Sequence, residues 1–179
     1  RASGADLSRL LANLRAGRDP GERRWSEDVR RMQSLVRRES GAAAPGAQAT
    51  PGGSPAAVPG AEATGFVVAL AFPDRIARRV PGDGPASGGD RYLLSSGTRA
   101  GLPAGSSLSG YEWLAVAEVS RAQGRDAAGT GAVIRSAAPL SEDTAEAAAG
   151  HLLTDTVEAS FSSAGRVTAR RERRVGAIV

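Results

Sequence analysis

The sequence predicts an α+β protein, with a helical segment over residues 1 to 40 and a small β-barrel with a leading helix over residues 64 to 179. Three observations support this prediction. Leucines recur at helical spacing near the start, short apolar runs separated by glycine-rich turns follow later, and a segment rich in Ala, Gly and Pro lies between them. With 179 residues, 41% of them hydrophobic, the chain can form one medium domain or two small ones.

The N-terminal segment contains two amphipathic patterns. Leu7, Leu10, Leu11 and Leu14 follow the spacing i, i+3, i+4, i+7, which predicts one helix with a single apolar stripe. Gly17 is placed to end that helix.

A second helix is predicted from Asp19, which is a suitable N-cap before Pro20, to Gly41, which we expect to stop it. Two such helices cannot bury their stripes alone, so we expect the remnant of a larger helical bundle. The apolar side of the second helix carries Trp25, Val29, Met32 and Val36.

Residues 41 to 63, GAAAPGAQATPGGSPAAVPGAEA, are of low complexity. Val58 is the one sizeable apolar residue in this segment. Because so little apolar surface cannot offset the entropy lost on ordering, we predict a flexible linker.

The barrel region opens with the apolar run GFVVALAF, for which we favour a helix because it contains alanines and leads into Pro73. The residue before a proline avoids helical geometry, so Phe72 is expected to mark a break. A new helical turn, with Pro73 at its first position, is predicted to follow.

Later segments alternate in the manner of strands. The first candidates are RYLLSS (91–96), YEWLAVAEVS (111–120), which is apolar on both faces, and GAVIRSAAPL (131–140). A helix beginning at Ser141 and a hairpin of TDTVEASF (154–161) with the closing strand follow, and Val157, Ala159 and Phe161 are expected to point inward. Short strands with one helix before the last pair predict a five-stranded oligonucleotide-binding (OB-fold-like) barrel, with one or two extra strands.

Composition excludes several kinds of chemistry. The chain has no cysteine and one histidine, and all 23 of its basic residues are arginine. Thiol nucleophiles, thiolate zinc sites, lysine Schiff bases and a complete phosphate-binding P-loop are therefore ruled out. We predict no catalytic and no metal-binding residues in this chain. No apolar run is long enough to span a membrane.

Four segments together resemble a known family. LAFPDRIARRV, DRYLLSSGTRAGLP, LSGYEWLAVAEV and GRVTARRERRVGAIV are similar, in this order, to the region after the ATPase core in the HrpB family of bacterial ATP-dependent helicases. These are DEAH-box proteins of superfamily 2. The resemblance covers residues 64 to 179 well and residues 1 to 40 more weakly.

The resemblance implies the C-terminal accessory region of such a helicase: the end of a helical bundle followed by the OB-fold-like barrel. The chain would be a segment of a longer, cytoplasmic protein whose RecA-like domains bind ATP and Mg²⁺ and hydrolyse the ATP. This segment, which would have no cofactor of its own, would grip the backbone of single-stranded RNA or DNA.

The first candidate contacts are Arg75, Arg78 and Arg79. If Pro73 opens a helical turn, their spacing i, i+3, i+4 places three guanidiniums on one face, and guanidinium geometry matches phosphate. In the alternative interpretation, carboxylates such as Asp74 pair with them, or they dock the turn on the barrel.

The remaining candidate contacts are Arg91, Tyr92, Arg99, Arg171 and Arg173. Arg91 and Tyr92 lie on the first predicted strand, and Arg99 lies in a glycine-rich loop. Arg171 and Arg173 lie on the closing strand, where charge also protects an exposed sheet edge, so both interpretations stay open.

Three aromatic residues, Tyr92, Tyr111 and Trp113, are candidate platforms for stacking bases. A chain with 4% aromatics needs them in its core, and Trp113 is assigned there. Tyr92, beside Arg91, is expected to show its ring face.

A function from another class is also compatible with the sequence. The chain would then be a protein-interaction module that docks on the helicase core or on a partner protein, and its arginine clusters would form salt bridges.

Overall fold

A computed structural model describes residues 5–42, 62–81, 89–121, 130–161 and 165–179. These residues fall into two compact units. One unit contains residues 9–42, and the other contains residues 5–8 together with the described residues from 62 onward.

Two helices occupy the N-terminal segment, as predicted: α1 (Leu7–Arg15) and α2 (Glu22–Ala42). Gly17 follows α1 with a φ of 66°, a left-handed conformation that favours glycine. The carboxylate of Asp19 accepts a hydrogen bond from the main-chain N–H of Gly21 (2.8 Å), so it caps the turn that leads into α2. The predicted stop at Gly41 is wrong, because α2 continues to Ala42.

The apolar side of α2 lies open. Trp25, Val29, Met32 and Val36 line one shallow groove on the helix, and Met32 and Val36 are more than half exposed. None of the helices in the described parts of the chain is long and apolar enough to cross a membrane.

A closed five-stranded barrel forms the centre of the second unit. Its strands are β1 (Ile76–Arg79), β2 (Arg91–Leu94), β3 (Arg99–Gly101), β4 (Trp113–Arg121) and β5 (Ala132–Leu140). They close in the order β1-β2-β3-β5-β4; only the β3–β5 pairing is parallel. The predicted α+β fold with a small OB-fold-like barrel is confirmed.

Side chains alternate between two apolar clusters. Leu114 and Val116 point into the barrel with Tyr92, whereas Trp113 and Ala115 point outward. The outward residues are covered by α3 (Ala63–Ala71) and α4 (Glu142–Ala148). The prediction that β4 is apolar on both faces, with Trp113 in the core, is confirmed.

A turn begins at Pro73, as predicted, in the form of one short 3₁₀ turn over Pro73–Arg75. The predicted continuation of helical geometry to Arg79 is wrong, because Ile76 adopts an extended conformation and begins β1. Ile76 pairs with Ala115 on β4, and both are buried. Burial between two long-range neighbours therefore overrides the local helical spacing.

The predicted linker, residues 41 to 63, lies mostly outside the described residues. Its last two residues are structured: Ala63 begins α3, and the carboxylate of Glu62 accepts hydrogen bonds from Ser141 and Thr144. Ser141 caps α4 as predicted, by accepting a bond from the N–H of Thr144 (3.3 Å).

The closing hairpin does not join the barrel. Within the described parts of the chain, strands β6 (Leu153–Phe161) and β7 (Val167–Val175) pair with each other and with no barrel strand. The prediction that Val157, Ala159 and Phe161 point inward is wrong, since all three are exposed, Phe161 by 80%. We call this pair of strands the ribbon; the turn predicted between them falls largely on residues 162–164, which lie outside the described residues.

Sequence reasoning also missed the contribution of the extreme N-terminal residues to the barrel. Ala5 is buried in the barrel interior, and its carbonyl accepts a hydrogen bond from the N–H of Ala137 on β5 (2.7 Å).

Candidate nucleic-acid interface

Strand register brings separate arginines onto the outer face of the barrel. Arg78 on β1 lies opposite Leu93 on β2, and Leu93 lies opposite Arg99 on β3. Residues directly opposite one another project to the same face of a sheet. Leu93 packs with the outer cluster, so this face is the outer one.

Arg91 lies on the same outer face, two residues before Leu93. Its opposite residue is Gly101, and Arg99 is two positions away from that glycine. Arg91 and Arg99 are therefore diagonal neighbours, a relationship that separates two residues by about 7–8 Å and their Cβ atoms by somewhat less. Both are exposed, and neither forms an ion pair with another described residue.

Tyr111 extends this face at its edge. The N–H of Arg79 donates to the carbonyl of Glu112 (2.7 Å) and the N–H of Val80 donates to the carbonyl of Arg91 (2.9 Å). Tyr111 is the residue before Glu112, so these two bonds place the segment of Tyr111 and the start of β2 on either side of the end of β1. The side chain of Tyr111 is 46% exposed. We call Arg91, Arg99 and Tyr111 the open face.

Arg78 lies on the outer face but is committed to internal contacts. Its Nε and Nη2 donate to Oε1 of Glu112 (3.2 and 3.0 Å), and its Nη1 donates to the carbonyl of Val179 (2.7 Å). The guanidinium carbon lies 5.3 Å from the ring centroid of Trp113. Arg78 thus stabilises the packing at the edge of the outer cluster.

Arg75 is also held within the fold. Its Nη1 donates to the carbonyl of Ala117 (2.8 Å), and its guanidinium lies 4.8 Å from the ring centroid of Phe72. Ala117 sits at the register shift of β4, between Val116 and Glu118, so Arg75 satisfies a carbonyl at an irregular point of the ladder.

The predicted shared face of Arg75, Arg78 and Arg79 is therefore wrong. Arg79 is exposed at the end of β1, and it lies opposite Tyr92 rather than beside Arg78. The cause is the extended conformation of β1, in which consecutive side chains alternate between faces.

The prediction that Tyr92 shows its ring is wrong as well. Tyr92 is fully buried in the barrel interior, and its hydroxyl donates to the carbonyl of Tyr111 (2.6 Å). Burial raises the pKa of Tyr92 above its usual range, so the hydroxyl keeps its proton.

The arginines of the ribbon are paired with carboxylates. Nε of Arg171 donates to Oδ1 of Asp155 (2.9 Å), and this bond lowers the pKa of Asp155. Arg173 forms an ion pair with Glu146 of α4 (2.8 Å). Register places Arg173 opposite Asp155, so the two arginines share one face of the ribbon, apart from the barrel sheet.

Comparison with known proteins gives one informative similarity. The crystal structure of the E. coli DExH-box NTPase HrpB matches with a TM-score of 0.50 and 29% sequence identity, over 64% of this chain and 13% of that one. The chain is similar to a part of HrpB. The resemblance predicted from the sequence is thus confirmed.

A second crystal structure, of the E. coli DEAH/RHA helicase HrpB, matches with a TM-score of 0.44 and 25% identity, over 62% of this chain and 12% of that one. No protein-family model matches the chain, and no curated protein does. The matched region is a small part of HrpB. The similarity therefore supports the assignment of this chain as an accessory part of an HrpB-like helicase, and it does not extend to the activity of the whole protein.

Sequence reasoning missed two residues that shape the open face. Asp90 accepts hydrogen bonds from Ser109 Oγ and Gly110 N (2.8 Å each), which fixes the loop before β4. Glu112 holds Arg78. Local sequence patterns could not identify either residue, because each contacts a partner about twenty or more positions away in the chain.

Proposed function

We propose that this chain is an accessory nucleic-acid-binding part of an HrpB-like, ATP-dependent RNA helicase, and that its open face contacts single-stranded RNA or DNA. Support comes from Arg91 and Arg99, two exposed arginines that strand register makes diagonal neighbours. Arginine binds phosphate oxygens through a planar fork of donors, which suits an uninterrupted sugar-phosphate backbone.

The candidate arginines differ in whether their guanidinium groups already bond to other described residues. Arg75, Arg78, Arg171 and Arg173 each hold a carbonyl or a carboxylate. The side chains of Arg91, Arg99 and the neighbouring Arg79 make no such contact within the described part of the chain. We therefore expect these three arginines to make the phosphate contacts and the others to contribute less.

In the whole protein, we propose that RecA-like domains bind ATP with Mg²⁺ and hydrolyse it, and that the open face holds the strand on which they act. The chain lacks lysine, so a P-loop has to be supplied by another part of the protein. We expect the parent protein to act in the cytoplasm.

The experiment is a fluorescence-anisotropy titration of a labelled single-stranded RNA of about 16 nucleotides, the upper site size of one OB fold, at several salt concentrations. The test variant is Arg91→Ala/Arg99→Ala. On a single strand, log affinity falls with log salt by about 0.7 per contacted phosphate, so losing two contacts reduces the slope by about 1.4.

Two matched variants change the charge equally elsewhere. Arg23→Ala/Arg24→Ala removes two exposed arginines from α2, and we expect it to keep the wild-type slope. Arg171→Ala/Arg173→Ala reports on the ribbon. Equal slope changes in all three variants would show that net charge, and not the open face, governs binding. Absence of binding at low salt by the folded chain would reject the proposal.

A second candidate function is a docking module for the RecA-like domains or a partner protein. Two observations favour it: the ribbon exposes Phe161 and Val167 at one end, and Glu172 pairs with both Arg170 and Arg174. Under this proposal, the ribbon would bury its apolar end against a protein, and RNA affinity would be absent.

A further inference from the structure

The loop that carries Tyr111 is held to the barrel on both sides of that residue. Before it, Gly110 N donates to Oδ2 of Asp90, and Ser109 Oγ donates to the same oxygen (2.8 Å each). At Tyr111 itself, the main-chain carbonyl accepts a bond from the buried hydroxyl of Tyr92 (2.6 Å). The backbone of Tyr111 is therefore fixed while its side chain stays almost half exposed.

The surroundings of Tyr111 include an arginine, Arg91, that forms no ion pair with any residue that the structure describes. Asp90, which ties the loop down, directly precedes Arg91 in the chain. The end of β1 links the two segments: the N–H of Val80 donates to the carbonyl of Arg91 (2.9 Å), and the N–H of Arg79 donates to the carbonyl of Glu112, the residue after Tyr111 (2.7 Å). Glu112 is bound to Arg78, whereas Arg79 and Arg91, on the two strands that meet here, are exposed.

We propose that Tyr111 is a stacking platform for one unpaired base of the strand whose phosphate is bound by Arg91. This inference rests on the proposed function and adds a base contact to its phosphate contacts. A π-face accepts any of the four bases, so the platform would add affinity without sequence preference. Because the backbone is already fixed, little ordering entropy opposes stacking.

The test separates base contacts from phosphate contacts. The whole 179-residue chain is titrated against two labelled strands of about 16 nucleotides, oligouridylate and an abasic strand of equal phosphate number. Tyr111→Leu is compared with Tyr111→Phe, which keeps an aromatic ring. Both variants preserve the anchoring bond, since Tyr92 bonds to the main-chain carbonyl of residue 111.

We expect Tyr111→Leu to weaken oligouridylate binding by about 5- to 150-fold, the range for loss of one stacked base, and to leave abasic-strand binding unchanged. Tyr111→Phe should stay within about 2-fold of wild type, because the ring supplies the stacking. Wild type itself should prefer oligouridylate over the abasic strand by at least about 5-fold.

Each other outcome overturns a defined claim. Equal wild-type affinity for the two strands, or equal losses on both strands in Tyr111→Leu, would refute the platform while leaving phosphate binding by the open face intact. No wild-type binding to either strand would refute the proposed function itself, and the platform with it.

Discussion

Glu62 joins the start of α3 to the start of α4, and its removal should lower the stability of the barrel unit. Its Oε2 accepts bonds from Thr144 Oγ1 (2.6 Å), Ser141 Oγ (2.8 Å) and Ser141 N (3.1 Å). The Thr144 hydroxyl lowers the pKa of Glu62, partial burial acts in the opposite direction, and the Ser141 donors lower the pKa further. The perturbation is Glu62→Gln, which keeps one acceptor oxygen and removes the charge.

The magnitude follows from the three bonds. A hydrogen bond to a charged group contributes about 1.5–3 kcal/mol and a neutral one about 0.5–1.5 kcal/mol, so the charge accounts for roughly 1 kcal/mol per bond. Because Glu62 is only half-buried, solvent screening reduces the sum, and we expect a loss of about 1–2 kcal/mol in the free energy of unfolding. For a chain of this size that is about 2–8 °C in Tm.

The pH dependence has a definite sign. Since the folded-state pKa of Glu62 lies below the ordinary value of 4.5, its charged form stabilises the fold fully above that value. The contribution is lost as pH falls through the folded-state pKa. The gap between wild type and Glu62→Gln should therefore be full at pH 7 and shrink below pH 4.5.

The assay is urea unfolding at several pH values, followed by tryptophan fluorescence in a Trp25→Phe background so that the signal comes from buried Trp113. Glu142→Gln is the matched control, because Glu142 lies in the first turn of α4, the helix whose N-terminus Glu62 contacts, and its side chain makes no hydrogen bond within the described residues. If both variants lose equal stability, or if the Glu62→Gln gap stays constant with pH, the reasoning is refuted.

Two further predictions concern the close approach at Gly176 and the charge at Asp90. A Cβ at Gly176, whose φ is 57°, would lie 2.4 Å from the carbonyl oxygen of Ser95, so Gly176→Ala should cost about 2–3 kcal/mol in thermal unfolding; Gly105→Ala, at φ 73° with open space, isolates the conformational part and should cost less. Asp90→Asn keeps an acceptor for Gly110 and removes a negative charge beside Arg91. Two like unit charges about 8 Å apart in water repel each other by about 0.5 kcal/mol. If the carboxylate of Asp90 repels a phosphate bound by Arg91 to this extent, RNA affinity measured by anisotropy should rise about 2-fold in Asp90→Asn. An unchanged or lower affinity would contradict a phosphate contact at Arg91.

Local patterns predicted the elements that carry their own signal. The leucine spacing of α1 and the N-cap Ser141 of α4 are properties of a few adjacent residues, and both elements formed as expected. The apolar run of β4 likewise identified a central strand. The similarity to HrpB was also evident from short segments, since it depends on residue identity rather than on contacts.

The failures share a physical cause. Arg75, Arg78 and Arg79 have helical spacing. However, burial of Ile76 and Ala77 against β4 stabilises the extended conformation more than a helical turn would stabilise this segment. Tyr92 lies beside Arg91 in sequence, yet the pleat turns the two side chains to opposite faces, one into the barrel and one to solvent.

The sequence by itself determined the composition limits, the order of the local elements and the family resemblance, because each of these depends on residues that are near neighbours in the chain. The tertiary structure alone decided which arginines are paired among the residues that it describes. Arg78 forms an ion pair with Glu112, and Arg173 forms one with Glu146. Strand register makes Arg91 and Arg99 neighbours. Such pairings follow from barrel closure and strand register, which join residues far apart in sequence and leave no trace in local spacing.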